Sequence, residues 1–323
     1  MSKGEFERIA DYFAPLAANF GGAYGLTDDA ATIAPGTGRT LVVTTDTIVE
    51  RVHFIGDETA DLIARKLLRV SLSDVAAMGA VPRAYTLNIA LRRDLSDKWL
   101  ERFVAGLRQD QKEYNIHLIG GDSVSTSGPI VLTTTMFGEV EESRALRRSG
   151  ARPGDGVFVS GTLGDGALGL RAAQGDLCEA KQDAVAALAD RYRLPRPRTA
   201  LGQSLAGIAT ASADVSDGLI ADLGHIAEAS EVGARIEIER LPLSDVAREI
   251  VMDCRELLSM AATGGDDYEL VFTAPEEKIA TLLENWSGVS VTQIGTVTAE
   301  SSVRAVDTHG ETVSFLRPGF RHA

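Results

Sequence analysis

The chain has 323 residues, 44% hydrophobic and 24% charged, with a formal net charge of −14. That length points to two domains with room for a sizeable core, and the acidic balance argues against nucleic acid as the main partner, since phosphate backbones require basic patches. It leaves phosphorylated small molecules open, provided divalent metals stand between the two sets of negative charge.

The opening MSKGEFERIADYF carries charges where a secretion signal needs an apolar stretch. No run approaches the ~20 apolar residues of a membrane helix. Cys178 and Cys254 have no metal-ligand spacing and make no disulfide framework. The expectation is a soluble cytoplasmic protein with no membrane partner.

In chain order, Phe6, Ile9, Ala10, Phe13 and Leu16 share one helical face. LTDDAATI sets Asp28 and Asp29 among apolar residues just before LVVTTDTIV, a β-branched strand. The pattern from Thr59 to Met78 is helical, with Gly79 and Pro82 as stop signals. RAYTLNIAL predicts a strand, SDKWLERFVAGLRQDQKEY a helix opened by Ser96, HLIGGD a short strand and PIVLTTTMFGEV another. EESRALRRSGARPGDG is charged and broken by Gly and Pro, which puts a domain boundary there, with domains over 1–141 and 142–323. Beyond it, GVFVSG reads as a strand, TLGDGALGLRAA leads into a helix, and RLPRPR is a loop. SADVSDGLIADLGHIAEASEVG reads as strand, turn and helix, and ARIEIE as a strand. YELVFT and VSVTQIGTV are further strands around a helix from Glu276 to Glu284, so this half is α/β or α+β.

Carboxylates resist burial unless something positive pairs with them. Asp46 closes LVVTTD, Asp122 follows LIGG, Asp214 and Asp217 open a helix, and Asp74 lies inside the apolar run SLSDVAAMGA. Hard oxygen ligands drawn from several segments suit Mg²⁺, which shares its remaining positions with substrate phosphates. Each position also has a structural reading. Asp28 suits a turn, Ser216 or Asp217 a helix cap, Asp74 an ion pair with Arg69 or Arg83, and Thr44 and Thr45 a plain strand. GTLGDGALG has neither the lysine of a P-loop nor the spacing of a dinucleotide site, and the protein-kinase signature set is missing. ATP, if bound, is therefore bound outside those architectures. Of five histidines, only His53 in TIVERVHF stands beside the Asp46 strand.

Taken in order, LTDDAA, TTDTIVERVHF, ARKLLRVSLSDVAAMGAVP, LIGGDSVSTSGP, RALRRSGARPGDGVFVSGTLGD, RLPRPR, DVSDGLIADLGHI and GGDDYEL resemble the thiamine-monophosphate kinases of the aminoimidazole-ribonucleotide-synthetase superfamily. The resemblance covers essentially the whole chain. It implies a two-domain fold of mixed α/β and α+β character and a homodimer in which the N-terminal sheets pair into a barrel-like core. The N-terminal domain then binds ATP and Mg²⁺ and dimerises, and the C-terminal domain completes the site. The implied reaction is ATP-dependent phosphorylation of thiamine monophosphate. The implied Mg²⁺ ligands are Asp29, Thr44, Thr45, Asp46, Asp74, Asp122, Asp214 and Asp217; Gly121, Asp122, Arg148 and Ser216 match nucleotide contacts. Asp46, Asp122 and Arg148 are the implied catalytic set, and His53, Asp266 and Phe320 match positions near the substrate.

Two residues depart from the family pattern. Thr27 stands where a glycine is usual before the paired aspartates, and Asp266 where a glutamate is usual. Rival readings are another ATP-using member of the superfamily, of the purine-synthesis type, or a non-catalytic nucleotide or metal sensor. The hydrogenase-maturation branch is disfavoured by an ending GFRHA without cysteine, and the selenophosphate branch by a first cysteine as late as Cys178.

Overall fold

In a computed structural model that describes residues 5–177, 180–253, 255–315 and 319, the backbone builds one four-stranded and one seven-stranded sheet. Phe320, Cys178 and Cys254 lie outside the described residues. The chain divides into two units, one over Met1–Val75 and Val81–Glu142, the other over Ala76–Ala80 and Ser143–Ala323.

The first unit contains α1 (Glu5–Arg8), α2 (Ala14–Ala17), β1 (Arg39–Val49), α3 (Ala60–Ala77), β2 (Val81–Arg92), α4 (Asp97–Tyr114), β3 (His117–Thr126) and β4 (Val131–Glu141). The single N-terminal helix expected from the apolar face is interrupted: Ile9–Phe13 winds into a π-helical turn between α1 and α2. Pro15, at the start of α2, has no N–H to continue an α-helical ladder and crowds the carbonyl four residues back. The strand expected over HLIGGD also runs further, to Thr126, because it pairs in parallel with the long β2. Sheet order is β1-β4-β2-β3. The helices α3 and α4 bring Leu67, Leu68, Leu72, Val75, Phe103 and Leu107 to zero exposure together with Leu132 and Met136. Burial of such side chains contributes roughly 1.5–3 kcal/mol each. α4 begins as Ser96 accepts from Trp99 N at 3.3 Å and ends on left-handed Asn115.

The second unit contains β5 (Gly156–Ser160), α5 (Asp165–Gln174), α6 (Gln182–Arg193), α7 (Thr199–Leu205), β6 (Ala211–Asp214), α8 (Leu219–Ser230), β7 (Gly233–Glu237), α9 (Asp245–Asp253), α10 (Arg255–Thr263), β8 (Leu270–Ala274), α11 (Glu276–Leu283), β9 (Val291–Thr298), β10 (Val303–Val306) and β11 (Thr312–Val313). Its sheet runs β11-β10-β7-β9-β5-β8-β6. β5 and β8 are buried along their whole length, as central strands covered on both faces should be. β6 is an edge strand, and its last residue is Asp214, paired with Leu270. No helix among the described residues is long and apolar enough to cross a membrane.

Candidate functional site

The expected site residues fall into three groups, two in the first unit and one in the second. In the first group, β1 carries Thr44 and Asp46 on the sheet face that α3 covers. Thr44 Oγ1 donates to Asp74 Oδ2, and Ser71 Oγ donates to Asp46 Oδ2 at 2.7 Å. Ser71 also bonds Thr134 Oγ1 at 2.7 Å, across from Asp46 in the strand register. Arg69 is committed to Asp110 and Glu113, and Arg83 faces Glu139. Burial, and then the Asp74 charge, push the Asp46 carboxyl up to about 6, against a smaller lowering from Ser71. Thr45 points the other way: its hydroxyl donates to Thr134 O at 3.0 Å and accepts from Thr135 at 3.2 Å. Strand alternation thus separates it from its two neighbours in sequence.

His53 sits in the turn after β1, half-buried, with Nδ1 accepting from Val49 N at 3.1 Å. In the neutral ring this leaves the proton on Nε2.

The second group lines a cavity of about 150 Å³ beside β3, with Asp28, Asp29, Gly121 and Asp122 on its wall alongside apolar Ile9, Phe13, Leu26 and Leu118. An apolar slot edged by a few carboxylates and open backbone is the usual lining of a small-molecule pocket. Gly121 is required by close approach: a Cβ there would lie 1.9 Å from Leu87 O. Thr27 fits without strain, since its φ of −108° is open to any residue. The left-handed backbone of this segment lies upstream, at Tyr24, Gly25 and Leu26.

The sheet register separates these two groups. Asp46 shares a row with Thr134, Leu87 and Gly121, whereas Asp122 belongs to the next row, with Asn88, Thr133 and Thr47. β1 and β3 are opposite edges, so three strand spacings, about 14 Å, separate Asp46 from Asp122, and their side chains leave from opposite faces.

The third group surrounds the turn between β6 and α8. Asp214 is buried, while Ser216 and Asp217 are half-exposed. Neither Ser216 nor Asp217 caps α8. The preceding turn is instead gathered by Asp222, inside the helix, whose Oδ2 accepts from Ser216 N, Asp217 N and Gly218 N, each at 3.1 Å. Burial, and then the Asp217 charge, push Asp222 up to about 7. Donor atoms of Asp217, Asp222 and His225 lie within 4.8 Å of one another. Asp222 and His225 were not singled out in the sequence; the legible hint was an aspartate five residues after Asp217 on a helix about to begin. Arg148 is exposed, and its electrostatic influence reaches Asp222. Its backbone is pinned by Ser230, whose Oγ donates to Arg148 O at 3.0 Å.

Asp266 packs on the same turn, donating its N–H to Ser216 O at 2.9 Å. Its neighbour Asp267 is enclosed and accepts from Gly164 N and Gly166 N, at 2.7 and 2.8 Å; burial still holds its carboxyl well above the usual range. Glu269 accepts from Ser160, Arg191 and Arg198. The glycine-rich GTLGDGALG therefore serves close packing: a Cβ on Gly166 would come within 2.3 Å of the Asp266 carbonyl.

Residues 27–140 match the family described as AIR synthase related protein, N-terminal domain, and residues 152–308 its C-terminal domain. The thiamine-monophosphate kinase of Caulobacter vibrioides is 41% identical over 323 residues, covering 98% of this chain and 90% of that protein. The crystal structure of thiamine-monophosphate kinase from Stenotrophomonas maltophilia K279a superposes with a TM-score of 0.80 at 40% identity, covering 89% of this chain and 91% of that one. A structure described as AaThiL complexed with AMPPCP and TMP has a TM-score of 0.77 at 33% identity, covering 88% of each chain.

Proposed function

Since the chain belongs to the thiamine-monophosphate kinase family, we propose that it transfers the γ-phosphoryl group of ATP to thiamine monophosphate, yielding thiamine diphosphate and ADP. The observation that carries this reading is the first group of oxygen donors. Asp46 and Asp74 stand together, Asp74 accepting from the Thr44 hydroxyl and Asp46 from the Ser71 hydroxyl, and burial followed by the Asp74 charge pushes the Asp46 carboxyl up to about 6. This all-oxygen set fits Mg²⁺. Thr44, Asp46 and Asp74 would hold it in the first unit, with Thr45, Asp29 and Asp122 serving the same chemistry, and Asp214 and Asp217 would do so in the second. Bound Mg²⁺ supplies neutralisation of the triphosphate charge.

The protein's own share is positioning. Gly121 and Asp122 line the nucleotide cavity, and Arg148 and Ser216 contact the nucleotide. His53 and Asp266, with Phe320, receive the substrate. The attacking oxygen belongs to a phosphate monoester already ionised near neutral pH, so no strong general base is required. What remains is to hold two anions in line, which is the larger part of phosphoryl-transfer catalysis.

The about 14 Å between Asp46 and Asp122 favours a site completed by a second copy, with Asp46 from one protomer and Asp122 from its partner. The four-stranded sheet exposes Val43, at 56%, with Thr45, Thr47 and Asn88 on one face, a surface suited to the barrel-like pairing of a cytoplasmic homodimer. ADP release tests the function, measured with thiamine monophosphate, with an aminoimidazole-type or other phosphorylated acceptor, and with no acceptor, each in Mg²⁺ and in EDTA. Turnover with thiamine monophosphate in Mg²⁺ alone is expected. Preference for another acceptor would move the chain to a sister activity, and ATP binding without turnover would make it a sensor.

A further inference from the structure

The loop Gly264–Tyr268 holds two residues in a conformation they do not favour. Asp266 has φ 68° and Tyr268 φ 52°, the left-handed region that non-glycine residues leave when nothing holds them. Aspartate is among the side chains that tolerate this region best, which gives a backbone reason for the shorter acid at this position. Three sets of contacts hold the loop. Asp267, 1% exposed, spends both carboxylate oxygens on Gly164 N and Gly166 N at the start of α5. The flanking N–H groups of Asp266 and Tyr268 donate to Ser216 O and Val215 O, each at 2.9 Å. The Tyr268 hydroxyl, on a residue 8% exposed, donates to Asp266 Oδ1 at 3.0 Å.

We infer that Asp267 and Tyr268 are the positioning residues of the substrate subsite: Asp267 fixes the backbone that presents Asp266, and Tyr268 fixes the direction of the Asp266 carboxylate. This rests on the proposed function, in which Asp266 faces the cationic, aminopyrimidine-bearing end of thiamine monophosphate. A carboxylate whose orientation is set before binding loses no rotamer freedom when the ligand arrives. Aspartate reaches about one methylene less far than glutamate, so its mount must be stiffer to make the same charge-assisted contact. The loop reaches Ser216, a proposed nucleotide contact, only through the Asp266 N–H on the Ser216 carbonyl, a bond in which the Tyr268 hydroxyl takes no part. The strand beyond the loop is fixed independently, by Ser160, Arg191 and Arg198 on the fully buried Glu269. Loss of one contact at Tyr268 is therefore expected to loosen the carboxylate without unfolding the unit.

Steady-state kinetics on the full-length protein test this, with each substrate varied separately. Wild-type ADP release with thiamine monophosphate first settles the reading on which the inference rests; its absence sinks that reading whatever the variants do. With it in hand, Tyr268→Phe is expected to raise the KM for thiamine monophosphate about three- to tenfold and to leave the KM for ATP and the melting temperature where they were. Asp267→Asn keeps the shape but cannot accept from both glycine N–H groups, and is expected to raise the same KM about tenfold or more. Because Tyr268 acts through Asp266, adding Tyr268→Phe to Asp266→Asn is expected to change nothing further. An unchanged KM in Tyr268→Phe, a parallel rise in the KM for ATP, or multiplicative effects in the double variant would each overturn the assignment. The tyrosine variant decides even where Asp267→Asn does not fold.

Discussion

Asp46 combines burial with a second carboxylate beside it, which makes its charge depend on pH. Its carboxyl is shifted from 3.8 to about 6 by burial and by Asp74, so the folded protein prefers it protonated more strongly than the unfolded chain does. A carboxyl raised in this way contributes stability that is complete below about pH 4 and is lost as the pH rises through about 6. In EDTA the wild-type protein therefore carries an unfavourable charge at pH 8 that it lacks at pH 4. Asp46→Asn keeps the shape and the bond to Ser71 but never ionises. Its metal-free melting temperature is expected to exceed wild type at pH 8, by an amount worth at most about 3 kcal/mol at ~1.4 kcal/mol per pKa unit, and to converge with wild type near pH 4. Turnover in Mg²⁺ should fall about 10²-fold or more, as when one electrostatic contact to a developing charge is removed. Thermal melts of both proteins across that pH range check the sign. A variant less stable than wild type at pH 8 in EDTA would mean that hydrogen bonding, not charge, decides the energy at this position.

At the scale of elements, the parallel pairing of β2 and β3 controls the cavity wall. Gly121 pairs with Leu87, and a Cβ there would meet Leu87 O at 1.9 Å, whereas at Gly120 the nearest atom is the Thr86 methyl at 3.8 Å. Gly121→Ala is expected to force the strands apart at a cost of roughly 1–3 kcal/mol and to abolish measurable ATP binding, while Gly120→Ala should leave both nearly unchanged. Calorimetry with ATP and Mg²⁺, alongside thermal melts, separates the two; equal tolerance at both glycines would show that β3 can shift without harm. Strand alternation and helical periodicity made most elements readable, because burial imposes the same period on residue choice. Other features depended on partners distant in sequence. The N-terminal helix breaks where Pro15 meets it, and β3 runs on to Thr126 because β2 is there to pair with it. GTLGDGALG matched no phosphate-binding motif, and its glycines serve close packing instead, Gly164 against Ala261, Gly166 against Asp266 and Gly169 against Leu188. Asp222 looked like one more polar residue on a helix, and only the folded turn shows it gathering three backbone N–H groups. The acidic positions were legible one by one; their separation into groups was not, as it follows from strand order and row register rather than from spacing along the chain.

For the whole molecule, the question is how many copies make one site. Asp46 and Asp122 leave opposite edges and opposite faces of one sheet, about 14 Å apart across three strand spacings. A Mg²⁺ ion coordinates at about 2 Å, so one ion cannot span that distance within a chain. If a two-fold pair of identical chains sets the β1 side of one protomer against the β3 side of the other, an isologous interface makes that contact twice. Asp46→Asn and Asp122→Asn homodimers would then each be inactive, since every site in either lacks one carboxylate. A hybrid dimer holding one chain of each kind would concentrate both substitutions in one of its two sites and leave the other intact. Random exchange of subunits at equal concentration should therefore restore about a quarter of the wild-type rate, half of the dimers being hybrids with half their sites working. The measurement is ADP release from the mixed variants after reversible dissociation, beside each variant alone and a mock mixture kept unexchanged. If Asp46 and Asp122 instead serve a site within one chain, each site of the hybrid carries one defect and the exchanged mixture stays as inactive as its parents. Recovery that appears only after exchange assigns the two aspartates to different protomers of the same site.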